Sequence, residues 1–286
     1  MRGPRSRFFQ SQRLKLHYAE WGEPGGKPLM LVHGGLDHAR SWDWVADALG
    51  DAYHIVAPDL RGHGDSDWVI GSSYPTADSI YDVRHLFAHL GWKRAPIVAH
   101  SLGGVITLQL AGAFPDLVDR LLVVEGWRYS MYGEFLNKAP PVEERVRKWV
   151  GLVDALGQRE PRHYPTLESA IARMREANPR LTPAQAHHLT LHGCRRNADG
   201  TYSWKYDNYV RAIAPYRFDT HEHEQLWSLI KCPVLLVSGR GGFAVDPAQV
   251  LAHVSTGRAV MFEDAGHWVH HDKLDEFVAL VRDFLK

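Results

Sequence analysis

Short, almost uniformly apolar runs recur along the chain and alternate with stretches whose apolar positions repeat every three or four residues. The runs are PLMLV (28–32), YHIVA (53–57), PIVA (96–99), RLLVV (120–124), PVLLV (233–237) and RAVMF (258–262). Strands that are buried on both faces have this composition, and helices between successive strands connect them in parallel. A polar turn between RFFQ and the alternating RLKLHYAEW also predicts an N-terminal hairpin. The pattern therefore predicts an α/β protein with a mostly parallel sheet.

The alternation of strands and helices stops between about residues 126 and 229. This stretch is polar and contains no buried run of the earlier kind. Its predicted elements are helices over 142–156 and 168–177, a helix opening at Pro183 and a hairpin turn at Asp199-Gly200. We therefore predict a core formed by residues 1–126 and 230–286, and a cap subdomain formed by residues 127–229.

Composition narrows the class of protein. Of 286 residues, 45% are hydrophobic, and 33 basic residues balance 33 acidic ones. A neutral chain has no general attraction to nucleic acid or to an anionic membrane, so we expect neither as a partner. The two cysteines, Cys194 and Cys232, form no disulfide framework, and we expect both to be reduced. The sequence shows no signal peptide or long apolar span, which predicts a cytoplasmic protein. We expect a monomer or a homodimer.

The stretch IVAHSLGGVITLQL (97–110) places a serine at an abrupt change from a buried strand to an apolar helix. A turn this tight holds Ser101 in a strained conformation with its hydroxyl above the sheet, and it needs small neighbours such as Ala99 and Gly103. The helix behind the serine also offers free N–H groups and the positive end of its dipole. Ser101 is therefore a candidate nucleophile, although a serine that only caps a helix is also common.

Two further stretches supply possible partners for Ser101. The segment LMLVHGGLDHARSW (29–42) ends a strand in two glycines, and the N–H of Gly35 with that of Leu102 predicts an oxyanion hole. His267 follows a glycine turn after the last strand and is the candidate general base. His270 and His271 are competitors, but they lie nearer the helix start, where we expect them to face solvent or the cap.

Together with APDLRGHGDSD (57–67), these stretches resemble the α/β-hydrolase superfamily over essentially the whole chain. The resemblance implies an eight-stranded, mostly parallel sheet flanked by helices, with a helical cap inserted after the sixth strand. It also implies that Asp59 is structural. Ala99 departs mildly from the superfamily pattern, which has glycine there. A serine nucleophile argues against the dehalogenases and epoxide hydrolases of the superfamily, which use aspartate at this position.

The acid expected beside the histidine is missing from its usual place. The resemblance implies an aspartate at about Gly242, but that loop reads Arg240-Gly241-Gly242-Phe243. Glu125 instead ends the apolar run that follows the nucleophile strand, at the sheet edge where such proteins place their sites. A buried carboxylate needs a partner, and His267 would provide one. The chain thus resembles capped serine esterases whose acid follows the sixth strand.

Alternatives to Glu125 remain open in the sequence. Asp246 is the main rival, although Asp246-Pro247 also reads as a helix N-cap followed by proline. Asp264 lies only three residues before His267, which is too short a segment for its carboxylate to fold back onto the His267 ring. Glu125 itself has a purely structural alternative, a salt bridge to Arg128.

Other candidate residues concern the pocket and metal binding. Trp127 and Trp268 adjoin predicted catalytic residues and are expected to line an apolar pocket with Phe243 and His100, while Trp204 and Tyr206 are expected to pack under the cap. His188 with His192, and the run HEHE (221–224), each offer at most two ligands on one helix face. We therefore expect no metal.

These residues together predict a serine hydrolase that acts on an ester-like bond of a small, largely apolar molecule. Ser101 would attack the carbonyl, His267 would take its proton, and Glu125 would orient the imidazole. This chemistry needs no cofactor. A carboxylesterase is the favoured class; a carbon–carbon bond hydrolase, a lactonase, an amidase or a weakly catalytic ligand-binding receptor would use the same constellation.

Overall fold

A computed structural model describes residues 3–71, 74–127, 140–212, 214–243 and 246–286. In these ranges ten strands are defined: β1 (Arg5–Ser11), β2 (Leu14–Trp21), β3 (Lys27–Val32), β4 (Tyr53–Pro58), β5 (Ala95–His100), β6 (Val118–Val124), β7 (Cys194–Arg196), β8 (Tyr202–Trp204), β9 (Val234–Gly241) and β10 (Gly257–Gly266). Eight of them form one sheet in the order β1-β2-β4-β3-β5-β6-β9-β10. Within this sheet, only β1 with β2 and β2 with β4 pair antiparallel; β7 and β8 form a separate antiparallel pair. The predicted eight-stranded, mostly parallel sheet is confirmed.

Helices cover both faces of this sheet. The α-helices of the described ranges are α1 (Asp43–Leu49), α2 (Thr76–His89), α3 (Leu102–Ala113), α4 (Val142–Gly157), α5 (Leu167–Ala177), α6 (Pro183–Gly193), α7 (Thr220–Ser228), α8 (Ala248–Leu251), α9 (Val269–Asp272) and α10 (Leu274–Phe284). Strand β6 shows why the apolar runs are continuous: Leu121 and Val123 face one apolar layer, and Leu122 and Val124 face the other. Side chains of a strand alternate between faces, so a sheet covered on both sides needs apolar residues at every position.

Between β6 and β9, the stretch that the sequence analysis predicts to be a cap contains α4 to α6 and the β7–β8 hairpin. Local signals define its helix starts, since Thr182 caps α6 through the N–H of Gln185 and proline follows at the first helical position. The predicted hairpin turn is also present, with Gly200 at a φ of 86° and the N–H of Thr201 donating to Asp199.

Helix α7 lies at the predicted boundary between cap and core. The sequence boundaries place it in the cap, but it packs against α3, and its Trp227 belongs to the core layer. The backbone of Leu226 lies directly over Gly112 of α3, where a side chain would collide with it. The return to the core therefore begins before residue 230.

None of the helices in the described ranges has both the length and the apolar character needed to cross a membrane.

Candidate active site

Ser101 occupies a strained turn between β5 and α3. Its φ of 50° and ψ of −116° lie where residues other than glycine are rare, at a cost of about 1–3 kcal/mol. The Ser101 N–H donates to the carbonyl of Val124 at 2.8 Å, which fixes the turn to the end of β6. Gly103 makes the turn possible, because a Cβ there would lie 2.6 Å from the carbonyl oxygen of Val32. The sequence prediction of a tight strand-to-helix turn at Ser101 agrees with this geometry.

Glu125 occupies a second strained turn on the neighbouring strand. Its φ is 51°, and its N–H donates to the carbonyl of Val237 at 2.9 Å. The carboxylate is fully buried; it accepts the N–H of Gly239 on Oε1 at 2.9 Å and the N–H of Phe243 on Oε2 at 2.8 Å. Two backbone N–H groups from β9 and the following loop thus hold the acid in one orientation.

The structure brings Glu125 and His267 together. Oε2 of Glu125 lies 3.6 Å from Nδ1 of His267, slightly beyond hydrogen-bond distance. Catalytic hydrogen bonds are often this long before a substrate is bound. His267 is held from two sides, because the ring of Phe243 lies 4.0 Å from it between centroids and Nε2 of His100 donates to its carbonyl oxygen at 3.0 Å.

Glu125 fills the space that an acid at position 242 would need. A Cβ built on Gly242 would lie 2.6 Å from the Glu125 Cδ and from both of its oxygens. A side chain at position 242 and the Glu125 carboxylate therefore exclude each other. This explains in physical terms why glycine stands where the resemblance implies aspartate.

The rival carboxylates are engaged elsewhere. Asp246 is exposed and accepts the N–H of Ala248, the first residue of α8, at 2.9 Å; the N-cap of that helix is Pro247, one residue later than the sequence predicts. Asp264 has an 84% exposed side chain that lies 3.7 Å from Nζ of Lys273. Arg128, the possible structural partner of Glu125, lies outside the described residues.

The glycine turn after β3 is organised by His33, a role that the sequence analysis missed. His33 is fully buried; its Nδ1 donates to the carbonyl of Gly34 at 2.6 Å, while its Nε2 accepts the N–H of Leu60 at 3.0 Å. This pairing requires the neutral ring, and burial lowers the pKa of His33 to about 3. The turn brings Gly35 to the cavity that Ser101 lines. Leu102 begins α3, so its N–H has no acceptor within the helix.

Asp59 fixes the segment beside this turn. It is buried and accepts the N–H groups of Ala39 at 2.6 Å and Asp65 at 2.8 Å, together with Nδ1 of His17 at 2.7 Å. Burial alone would raise the pKa of Asp59, but these bonds, with His17 foremost, hold it below its usual range. This contact set fits the structural role that the resemblance implies.

Neither His270 nor His271 faces solvent, so that part of the expectation is wrong, although Gln185 of α6 donates to the carbonyl of His271 at 2.9 Å. Both are buried, and His270 stacks on Trp42 at 4.5 Å and contacts His100 at 4.9 Å between ring centroids. Burial lowers the pKa of His271 to about 3, and it lowers that of His270 as well. The two rings thus support the floor beneath His100 as neutral, apolar-packed groups.

Between the sheet edge and the cap lies a cavity of about 1440 Å³ that both Ser101 and His267 line. His100, Phe243 and Trp268 also line it, as the sequence predicts, and so do Trp204 and Tyr206, for which packing under the cap was favoured. Trp127 requires a correction. It is 4% exposed and belongs to the core layer with Ile106 and Val123, because the chain after Glu125 turns inward over α3.

Among the described residues, two groups of side chains have the composition of a metal site. One is His17, Asp59 and Asp65, in which the Asp59 carboxylate already accepts from His17 and from backbone N–H groups. The other joins α1 to α6. Asp43 at the start of α1 comes within 4.8 Å of His188 and His192 of α6. However, the guanidinium of Arg40 donates to both carboxylate oxygens of Asp43, at 2.6–2.9 Å. Its positive charge opposes a cation there, and the group instead links the cap to the core. Of the HEHE run, His221 bonds Gln225 at 3.0 Å, and Glu224 lies 3.7 Å from His253.

Comparison with known proteins agrees with this architecture. The model of the alpha/beta hydrolase fold family matches residues 27–274. An esterase of Mycobacterium tuberculosis is 26% identical over 99% of this chain and 90% of its own length. A human serine hydrolase-like protein 2 is 29% identical over 63% of this chain, and this match spans 57% of the human protein. A hypothetical protein of Pseudomonas aeruginosa, 27% identical, superimposes with a TM-score of 0.85 over 98% of this chain and 99% of its own.

Proposed function

Because this chain belongs to the α/β-hydrolase family, we propose that it is a serine hydrolase which cleaves a carboxylic ester or related acyl bond. The observation that supports this most directly is the buried Glu125 carboxylate facing Nδ1 of His267 at 3.6 Å. Ser101 lines the same cavity as His267 from a strained turn of the kind that presents a nucleophile. The esterase of Mycobacterium tuberculosis among its relatives is consistent with ester substrates.

In the proposed mechanism, Ser101 attacks the substrate carbonyl while His267 accepts the hydroxyl proton on Nε2. Glu125 keeps the proton of His267 on Nδ1 and stabilises the imidazolium that forms. The N–H groups of Gly35 and Leu102 hold the oxyanion, which exists only in the tetrahedral state. His267 then gives its proton to the leaving alcohol. Water, activated by the same ring, next releases the acid from the acyl-enzyme.

The test combines three variants with p-nitrophenyl esters and a fluorophosphonate probe. Ser101→Ala is expected to abolish both turnover and labelling. Glu125→Gln is expected to lower kcat by about 10⁴-fold, because a neutral amide neither fixes the tautomer nor stabilises the imidazolium.

Asp246→Asn is the matched control, since it alters the rival acid at an exposed position before α8; kcat should stay within about twofold and stability should change little, because the asparagine side-chain oxygen can still accept the N–H of Ala248. A large loss of kcat in Asp246→Asn with a small one in Glu125→Gln would reassign the acid. Unchanged turnover in Ser101→Ala would refute the proposal. A panel of esters, lactones, amides and β-diketones separates the possible scissile bonds.

A further inference from the structure

The charged residues that line the cavity are mostly positive. Among the described residues, its lining contains the arginines Arg159, Arg162, Arg173, Arg180, Arg195 and Arg211, and the only acids are Asp207 and Asp272. The whole chain is balanced, with 33 basic and 33 acidic residues. The excess of positive charge is therefore a local property of the cavity. All six arginines belong to residues 159–211, the predicted cap. A concave surface lined by one sign of charge concentrates ligands of the opposite sign.

Two of these arginines are already paired, and the others are not. Arg173 bonds Glu176 at 2.7 Å, and Arg180 bonds Asp272 at 2.6 Å. Within the described ranges, no carboxylate lies within 4.0 Å of the remaining four guanidinium groups. Asp207 does not neutralise them, because its oxygens accept the Tyr74 hydroxyl at 2.6 Å and the N–H of Tyr209 at 3.0 Å.

Three of the four unpaired guanidinium groups lie over aromatic rings. The Cζ atom of Arg195 is 4.9 Å from the ring centre of Trp68, that of Arg162 is 5.5 Å from Tyr164, and that of Arg211 is 5.7 Å from Tyr206. The ring helps to hold the planar group; Nε of Arg195 also donates to the Ser203 hydroxyl at 3.3 Å, and a guanidinium has further N–H donors at its edge. Such a group is preorganised for a carboxylate or a phosphate, which it binds with two parallel hydrogen bonds.

The aromatic rings form one connected layer. Trp204 stacks on Tyr206 with 6.3 Å between ring centroids, and its Nε1 donates to the Tyr164 hydroxyl at 3.2 Å. Arg162 and Arg211 thus lie on the two ends of a single rigid cluster. The lining of the cavity therefore combines Ser101 and His267 with aromatic surface and guanidinium donors.

We propose that the cap side of the cavity binds an anionic group of the substrate, so that the preferred acyl substrate carries a carboxylate or a phosphate away from the scissile bond. This inference rests on the proposed hydrolase function and replaces a largely apolar substrate with an amphiphilic one. The cavity volume of about 1440 Å³ exceeds the range of about 300–1,000 Å³ typical of small-ligand pockets and leaves room for such an extended molecule.

The test compares substrates that differ in charge but share their reacting bond. The first pair is p-nitrophenyl hemiadipate, which carries a carboxylate on its acyl side, and the neutral p-nitrophenyl heptanoate. The second pair is butyryl-coenzyme A, which carries phosphate on its leaving group, and the uncharged butyryl thioester of N-acetylcysteamine. The readout is the ratio of kcat/KM for the anionic substrate to that for the neutral one.

For the unchanged protein, the ratio is expected to exceed ten in one pair, which identifies the side that carries the charge. Arg195→Gln and Arg211→Gln should each lower that ratio by about tenfold, because each removes a charge-assisted hydrogen bond. Sodium chloride at 1 M should lower it as well, since screening then acts over about 3 Å.

Arg196→Gln is the matched control. Arg196 follows Arg195 on β7, points to the other face of the hairpin and does not line the cavity, so its substitution should leave the ratio unchanged. Ratios at or below one in both pairs, with neutral esters hydrolysed, would overturn the inference and leave the hydrolase proposal intact.

A direct binding measurement tests anion binding independently of hydrolysis. It therefore separates the two proposals if the hydrolase proposal fails. In the Ser101→Ala variant, calorimetric titration with both pairs should show the anionic member of one pair binding at least tenfold more tightly than its neutral partner, and Arg211→Gln added to it should remove the difference. Equal affinities within both pairs would overturn the inference, whatever the enzyme hydrolyses. Tight anion binding without fluorophosphonate labelling of the unchanged protein would instead refute the hydrolase mechanism.

Discussion

Moving the acid back to position 242 tests how the site is built. Three variants are needed: Glu125→Ala, Gly242→Asp, and the two combined. Glu125→Ala leaves the N–H of Gly239 buried without an acceptor, at a cost of about 1–3 kcal/mol. The N–H of Phe243 adds less, because that residue is 48% exposed and water can reach it. Turnover should fall by about 10⁴-fold, as for loss of any residue that orients the base.

Gly242→Asp alone should also be harmful. Its Cβ would lie 2.6 Å from the Glu125 carboxylate, so the backbone or Glu125 must shift, at about 1–3 kcal/mol. A second carboxylate beside the first adds repulsion between like charges. The backbone at Gly242 has an ordinary negative or extended φ, so aspartate itself is not strained there.

In the combined variant, the new aspartate occupies the space that Glu125 vacates. We expect its stability loss to be smaller than the sum of the single losses by about 2 kcal/mol, and turnover to recover at least tenfold from Glu125→Ala. Urea denaturation and kcat/KM for a p-nitrophenyl ester measure the two quantities. Gly241→Asp combined with Glu125→Ala is the control and should give no recovery. Strictly additive losses, with no recovery of turnover, would refute the shared-space reasoning.

Two further predictions concern stability. In acid, His33 and His271 bind protons in the unfolded chain, whose pKa is near 6.5, before they do so in the folded one, where it is about 3 for each. Unfolding is therefore favoured as pH falls below 6.5, by about 2 kcal/mol per histidine at pH 5, and a urea midpoint that is flat from pH 7 to pH 5 would contradict this. Gly104→Ala should destabilise the protein by about 1–3 kcal/mol despite the higher helix propensity of alanine, because its Cβ would meet Val123 and the carbonyl of Gly126. Gly151→Ala, with open space around it in α4, should instead be neutral or stabilising by up to about 1 kcal/mol; equal thermal shifts for the two variants would contradict the packing argument.

Much of this architecture could be predicted from the sequence because its signals are local. A strand covered on both faces must be apolar at every position, and the run ending at Val124 satisfies that rule. The turn at Ser101 is similarly visible, since small residues flank it. The position of Glu125 followed from one non-local argument, that a carboxylate at the end of a buried strand needs a partner.

What could not be predicted depends on packing between distant segments. Histidine is polar as a free side chain, so nothing local indicates that His270 lies buried between Trp42 and His100. Trp127 lies two residues after Glu125, yet the sequence contains no signal for the direction in which the chain turns there. The unpaired arginines of the cap read as ordinary surface charge, and only the fold shows that they face a cavity.

Glu125 directly follows β6, the last strand before the predicted cap, and this position constrains any chimera made with a relative. A graft whose junction lies before Glu125 imports the donor's residue at that point, and a graft whose junction lies after Trp127 retains the recipient's. If a donor keeps its acid on the loop after β9, the first graft leaves this scaffold with Gly242 and no carboxylate at all. For an exchange of the predicted cap, the junction should therefore lie after Trp127. The recipient then keeps its own Glu125 carboxylate while it receives the donor's cap.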